Sequence, residues 1–204
     1  MKNLIVAISI TFGTFSAMAQ TENKEIKKLK FGFNVGTNYS FLNAKSALPN
    51  NASIYNGMGA KMGILMNYAL SKNILISPKT ELAFNRAGVV SLGLDNSKST
   101  YEIFPISLEL MTHFVYLIGE KSSKPYILLG PNFRLPLDNK MKTSTTFKNK
   151  SDLAIDFGIG LQNSLKHFVF SPEIRYSLGF MNVNANPSFQ EITYHNLSLV
   201  FNFN

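Results

Sequence analysis

His113, His167 and His195 are the three imidazoles of this chain, and they fall on three well-separated segments. Near neutral pH an imidazole can act as a base or as a metal ligand, but this spacing offers no metal pair. The candidate hydroxyl for a dyad with one of them is Ser198, three residues beyond His195. On an extended strand, positions three apart face opposite sides, so no nucleophile and base meet there. Phe31-Gly32-Phe33-Asn34-Val35-Gly36 resembles a phosphate-binding glycine run, yet its glycines alternate along an extended segment with no helix following. Cysteine is absent, which removes disulfides, thiolate metal sites, cysteine nucleophiles and cysteine-acylated leaders. The expectation is therefore a protein that is not an enzyme, with no catalytic, cofactor-binding or metal residues and no cofactor.

The remaining residues with chemical potential are charged ones inside otherwise apolar segments: Lys61, Lys79, Arg134 and Arg175 against Glu81, Glu109, Asp156 and Glu173. Their value depends on what positions them. A period of two runs through nearly the whole chain, starting at Lys30-Phe41, where Phe31, Phe33, Val35, Tyr39 and Phe41 share one face and Gly32, Asn34, Gly36, Asn38 and Ser40 the other. Gly57-Leu70 repeats it, with Met58, Met62, Ile64 and Met66 opposite Gly59, Lys61 and Gly63. Ile74-Asn85 sets Ile76, Leu82 and Phe84 against Ser77, Lys79 and Glu81. The fourth segment is read as starting at Phe104, with Phe104, Ile106, Leu108 and Leu110 against Ser107 and Glu109. Four more follow: Tyr126-Leu135, Asp152-Gln162, Phe168-Phe180 and Thr193-Asn204. A helix could not segregate Ile155, Phe157 and Ile159 from Asp156, Gly158 and Gly160.

Connections alternate in length. About Leu42-Asn56, Ser91-Ser99, Asn139-Asn149 and Asn184-Ile192 are long and rich in Asn, Ser and Lys, whereas Ser71-Asn73, Gly119-Lys124 and Leu165-Lys166 are short. Long loops on one rim and tight turns on the other, with both ends of the chain on the short-turn side, describe an all-β, eight-stranded antiparallel up-and-down transmembrane β-barrel. A soluble lipocalin-like barrel shares this alternation with its apolar face inward. The polar face distinguishes them: Gly, Ala, Ser and Asn crowd it, as a narrow lumen requires, where a solvated exterior would carry Lys, Glu and Thr. Tyr39, Tyr68, Tyr101, Tyr116, Tyr176 and Tyr194 fall near strand ends and are read as an aromatic girdle.

Inside so narrow a barrel the eight charged residues balance four against four. Charges in a low-dielectric lumen persist only when paired and hydrogen-bonded, so a buried ionic network that fills the lumen is expected rather than a pore. The chain's formal charge of +8 then belongs outside the barrel wall: Lys24, Lys27, Lys28 and Lys30 before the first strand, and Lys140, Lys142, Lys148 and Lys150 in the third long loop. Those loop lysines are candidate contacts for anionic lipopolysaccharide or a partner protein. No compact basic module interleaved with aromatics is present, so nucleic acid is not an expected partner.

Lys2, the apolar run Leu4 to Phe15 and Ala17-Met18-Ala19 read as a secretory leader. The expected division is a signal peptide at 1–19, a periplasmic tail at 20–29 and the barrel at 30–204. The expected address is the outer membrane of a Gram-negative cell, after cleavage. No internal run reaches the ~18 apolar residues of a membrane helix.

The segments KFGFNVGTNYSF (30–41), STYEIFPISLEL (99–110), KPYILLGPNFR (124–134), LAIDFGIGL (153–161) and FVFSPEIRYSLGF (168–180), in this order and spacing, resemble the PorT family of Bacteroidota outer-membrane β-barrels. That resemblance implies an integral outer-membrane component serving the type IX secretion system, with secretion or envelope proteins as partners and outer-membrane lipid around it. It carries over no catalytic residue. The leading expectation is docking of partners at the rims. The alternative is a small structural or adhesive barrel resembling OmpX or the membrane part of OmpA, and a lipid A-modifying enzyme ranks far behind both.

Overall fold

The computed structural model describes residues 29–45, 47–93, 97–119, 122–137, 150–186 and 191–204. Eleven strands are present: β1 (Leu29–Ala44), β2 (Ala52–Tyr55), β3 (Gly57–Ala69), β4 (Ile74–Phe84), β5 (Gly88–Leu92), β6 (Lys98–Glu102), β7 (Ile106–Leu117), β8 (Ser123–Pro136), β9 (Asp152–Ser164), β10 (Val169–Gly179) and β11 (Ile192–Phe203). Eight of them close a barrel in the order β1-β11-β10-β9-β8-β7-β4-β3, every neighbour antiparallel. Closure pairs β1 with β11 from Phe33↔Phe203 to Ala44↔Ile192, so no sheet edge is left unpaired in the wall. The leader, the tail up to residue 28 and Lys140, Lys142 and Lys148 lie outside the described residues.

Burial is inverted relative to a water-soluble protein. Phe31, Met58, Ile64, Leu129, Ile159 and Phe114 are between 55% and 69% exposed, whereas Lys61, Glu81, Glu109, Arg134, Asp156 and Arg175 are at most 2% exposed. Free exposure of so much continuous apolar surface to water would be unstable, and hydrocarbon is the solvent that suits it. No helix among the described residues is long and apolar enough to cross a membrane, so crossing falls to the strands.

Proline interrupts the ladder where it occurs. Pro172 pairs with Phe201 of β11. On the β9 side, however, the register runs from Phe170↔Asn163 to Glu173↔Gly160 and skips the positions between. A proline has no N–H to give, so one side of its strand loses a rung. In the turn between β7 and β8, Gly119 has a φ of 85°, a left-handed conformation that costs glycine nothing.

Three sequence expectations fail at the outer rim. The connections read as irregular contain a three-stranded sheet, β2-β5-β6, standing beyond the barrel. Its short strands lack the sustained alternation of the wall and are stabilised by tertiary packing instead. Phe104 does not begin a membrane strand: β7 starts at Ile106, and Phe104 has a φ of 51°, is fully buried and packs edge-on against Tyr194 at 5.2 Å. Alternation continues through Phe104 in the sequence, but Pro105 beside it stops the strand. The girdle is likewise smaller than expected. Tyr39, Tyr68 and Tyr116 are 40–49% exposed on the outer wall, whereas Tyr101 and Tyr194 are buried within the cap described below.

Candidate functional site

Three layers fill the interior between the outer and periplasmic mouths. The outermost is apolar: Leu42, Ala87, Val89, Tyr101, Ile103, Phe104, Val183, Ile192 and Tyr194 form one buried cluster, with Leu48, Ala52 and Ile54 packed against it. It draws on β1, β2, β5, β6, β11 and the β10–β11 connection, so the cap is stitched from segments distant in sequence. Ala185 N–H donates to the Tyr101 hydroxyl at 3.4 Å, tying that connection to β6. Burial pushes the Tyr101 phenol up from its ordinary value. Tyr55, on β2, is pushed up to about 12, first by burial and then by the neighbouring Glu102 carboxylate, to which its hydroxyl donates.

Beneath the cap is a hydrogen-bonded layer. The Tyr194 hydroxyl and Ser40 Oγ are 2.7 Å apart, Asn196 Nδ2 donates to both, and Ser198 donates to Asn196 Oδ1 at 2.6 Å. Asn38 and Asn85 bond side chain to side chain. Arg134 lies under the Tyr194 ring, 5.0 Å from its centroid.

The third layer is ionic and contains all eight charged residues singled out in the sequence. Arg175 Nη2 meets Glu81 Oε2 at 2.5 Å, and Lys61 Nζ lies 3.2 Å from Glu109 and 3.6 Å from Glu81. Lys79 Nζ donates to both oxygens of Glu173 at 3.0 and 3.2 Å. Arg175 also lies 3.5 Å from Glu173 and 3.8 Å from Asp156, and Arg134 lies 3.8 Å from Glu109. Alternation along β3, β4, β7, β8, β9 and β10 turns every one of these side chains inward, and the barrel's curvature makes them converge.

Two further members belong to this layer. Arg134 Nη1 donates to Asp152 Oδ2 at 2.7 Å, and His113 Nε2 lies 3.0 Å from Asp156 Oδ2. Neither is in the ionic set expected from the sequence; His113 is fully buried in the lumen, and the charge count becomes five carboxylates to four permanent cations plus one histidine. Neither partnership is readable locally, because 18 and 43 residues separate the pairs.

On the periplasmic side, Leu75, Val115, Leu117, Tyr126 and Leu128 form an inward apolar belt. Tyr126 lies over Gly160, where an added Cβ would come within 2.2 Å of its ring, and its hydroxyl donates to Glu173 at 3.0 Å. Below the Lys79–Glu173 pair a recess of about 30 Å³ is lined by Asn67, Ser77, Gln162 and Asn202, among others.

His195 sits on the outer wall, 5.5 Å from the Phe41 ring and 6.2 Å from Tyr176, with Thr193 Oγ1 at 3.1 Å. Ser198 faces the lumen, so these two do not form a dyad. His167 is exposed at the β9–β10 turn, and Lys150 is exposed at the outer rim. Among the described residues no group of three or more His, Asp or Glu side chains is disposed to hold a metal.

A family model described as outer membrane protein beta-barrel domain matches residues 18–185. The chain is similar in fold to OprG from Pseudomonas aeruginosa, at a TM-score of 0.54 and 14% identity, covering 86% of this chain and 92% of that one. It is also similar to Neisserial surface protein A, at a TM-score of 0.51 and 9% identity, covering 85% and 97%. No curated protein matches it by sequence.

Proposed function

Since the chain belongs to the outer membrane protein beta-barrel domain family, we propose that it is a closed outer-membrane barrel that works by docking partners at its rims, in support of protein secretion or envelope assembly. The observation that carries this is the sealing of the interior in series, by an apolar cap, a hydrogen-bonded layer and a cross-linked ionic layer. A folded or unfolded polypeptide has no route through such a lumen, so a role in export has to be exerted from outside the channel. Resemblance of the strand segments to the PorT family supports the type IX secretion system as the machinery served, with cargo exported elsewhere and this barrel anchoring a component in the membrane. The tail preceding β1 offers a periplasmic tether, and processing after residue 19 would place it there.

One observation favours a second reading. The β2-β5-β6 sheet stands beyond the outer rim, a built structure where simple turns would have sufficed. That suits a small adhesive barrel of OmpX type, which contacts surfaces or lipopolysaccharide through its outer face, with Lys140, Lys142, Lys148 and Lys150 offered to anionic groups. Deletion separates the two. Loss of many secreted proteins from the medium supports the secretion role; normal secretion with altered adhesion or envelope integrity supports the second.

A further inference from the structure

The outward face of the wall carries a groove where its ladder is broken. Leu161 of β9 is opposite Pro125 of β8 and level with Pro172 of β10, in the stretch where the β9–β10 register skips from Phe170↔Asn163 to Glu173↔Gly160. The preceding position, Gly160, has no side chain, and its partners across the two ladders are Tyr126 and Glu173. Together they form the floor of a groove of about 440 Å³ on the lipid-facing side. One bank is the register row Ile127, Ile159 and Ile174, each more than half exposed, and the other is Pro125, Leu161 and Pro172. Wall strands tilt by about 35–45°, so a row perpendicular to them climbs the wall obliquely. One end of the groove reaches Ile118, just past the end of β7 at the periplasmic turn. Two lysines stand at this rim: Lys124 precedes Pro125, and Lys166 is exposed in the β9–β10 turn.

We propose that this groove is a phospholipid site, which takes one acyl chain of an anionic phospholipid of the periplasmic leaflet while Lys124 and Lys166 hold the phosphate at the rim. The site goes beyond docking of proteins and rests on the wall meeting hydrocarbon. Hydrocarbon surrounds the chain both in the bulk bilayer and in the groove, so burial from water gives no preference between them. Contact and charge have to supply it. An upright chain that bridges the groove leaves the floor without partner atoms, whereas a chain lying along it recovers those contacts. The polar atoms of the floor are already engaged: the Tyr126 hydroxyl donates to Glu173, and Lys79 donates to both oxygens of the same carboxylate. The groove therefore suits the chain and not the headgroup. Basic residues at the membrane surface attract anionic lipid, which directs the phosphate to the two lysines.

The chain has no tryptophan, so a single introduced one reports which lipid lies beside it. Leu129→Trp stands on β8 next to the groove without lining it, and Ile64→Trp on β3 lies across the barrel; both positions face outward. The full-length folded barrel carrying either one is reconstituted in phosphatidylcholine bilayers containing phosphatidylglycerol brominated on its acyl chains. Quenching at 129 should show a preference for phosphatidylglycerol about 5-fold above that at 64, the effect of one lysine near a membrane surface. Lys124→Gln with Lys166→Gln should bring 129 down to the value at 64. Filling the groove by Leu161→Phe with Ile174→Phe should do the same with both lysines intact, which rim charge alone cannot produce. Heat-modifiable mobility verifies that each variant is folded, and the rim variant decides the matter should the filled one not fold. Equal preference at the two positions, or a preference that survives filling, would overturn the site. Shielding of 129 from every brominated lipid, with 64 quenched, would put a protein surface such as a second copy over the groove instead. A tryptophan at 64 that no brominated lipid quenches would overturn the hydrocarbon-facing wall itself, and the site with it.

Discussion

Arg175 of β10 crosses the lumen to meet Glu81 of β4 at 2.5 Å, joining two residues 94 positions apart in the chain. The same guanidinium lies within 4 Å of Glu173 and Asp156, so one cation compensates three buried carboxylates. Arg175→Met leaves those carboxylates short of a partner, and breaking a buried pair from one side costs about 3–5 kcal/mol. Urea unfolding in detergent micelles should show that loss, and Glu81→Leu added to Arg175→Met should restore part of it. Equal stability of Arg175→Met and wild type would contradict the pairing.

On the opposite face of the wall, Ile159 is 60% exposed and stands on the strand that carries Asp156 and Asp152 inward. Ile159→Arg places a charge in hydrocarbon and should cost about 2–4 kcal/mol near the bilayer midplane. Ile159→Leu should be nearly neutral. Reversible unfolding in lipid measures both, and a silent arginine would show that this face meets water.

Phe104 fastens the outer cap through its contact with Tyr194. Truncation to alanine removes a fully buried ring and should cost the cap about 3–5 kcal/mol. Limited proteolysis should then nick the β5–β6 hairpin, while the heat-modifiable mobility of the barrel persists. An uncut hairpin in Phe104→Ala would mean that the cap does not depend on this residue.

Alkali should loosen the same cap. The folded state holds the Tyr55 proton up to about 12, above the ordinary phenol value of 10.0. A raised pKa means that the stabilisation is complete below the unfolded value and is lost as pH climbs through the folded one, here between about pH 10 and about 12. Tyr101, also raised, acts in the same direction. Phenolate absorbance should report a late-titrating tyrosine that disappears in Tyr55→Phe, whereas an unshifted titration curve would remove the Tyr55–Glu102 contact from the cap.

The eight wall strands and the direction of each face are legible in the sequence because a period of two sustained over ten or more residues leaves few alternatives, as in Leu153 to Leu161. The eight charged residues of the ionic layer follow from that alternation. What they bond to does not, since Lys79 finds Glu173 and Arg175 finds Glu81 only through the curvature of the closed barrel. Tyr101 and Tyr194 are ambiguous in the sequence for a related reason: an aromatic residue at a strand end suits a membrane girdle and a capping core equally well. Alternation gives no sign of where the membrane stops. Ser77 and His113 face each other because of the β4–β7 register, which no local spacing encodes.

Absence of cysteine from the chain makes single introduced cysteines a clean probe of which solvent touches each face. Spin labels at Phe157 and Ile159, against a label at the exposed turn residue Lys166, measure this most directly in reconstituted bilayers. Labels at 157 and 159 should collide with dissolved oxygen and be shielded from a water-soluble nickel relaxant, whereas the label at 166 should show the reverse. Ready access of the nickel complex to 157 and 159 would contradict an apolar wall bathed in lipid.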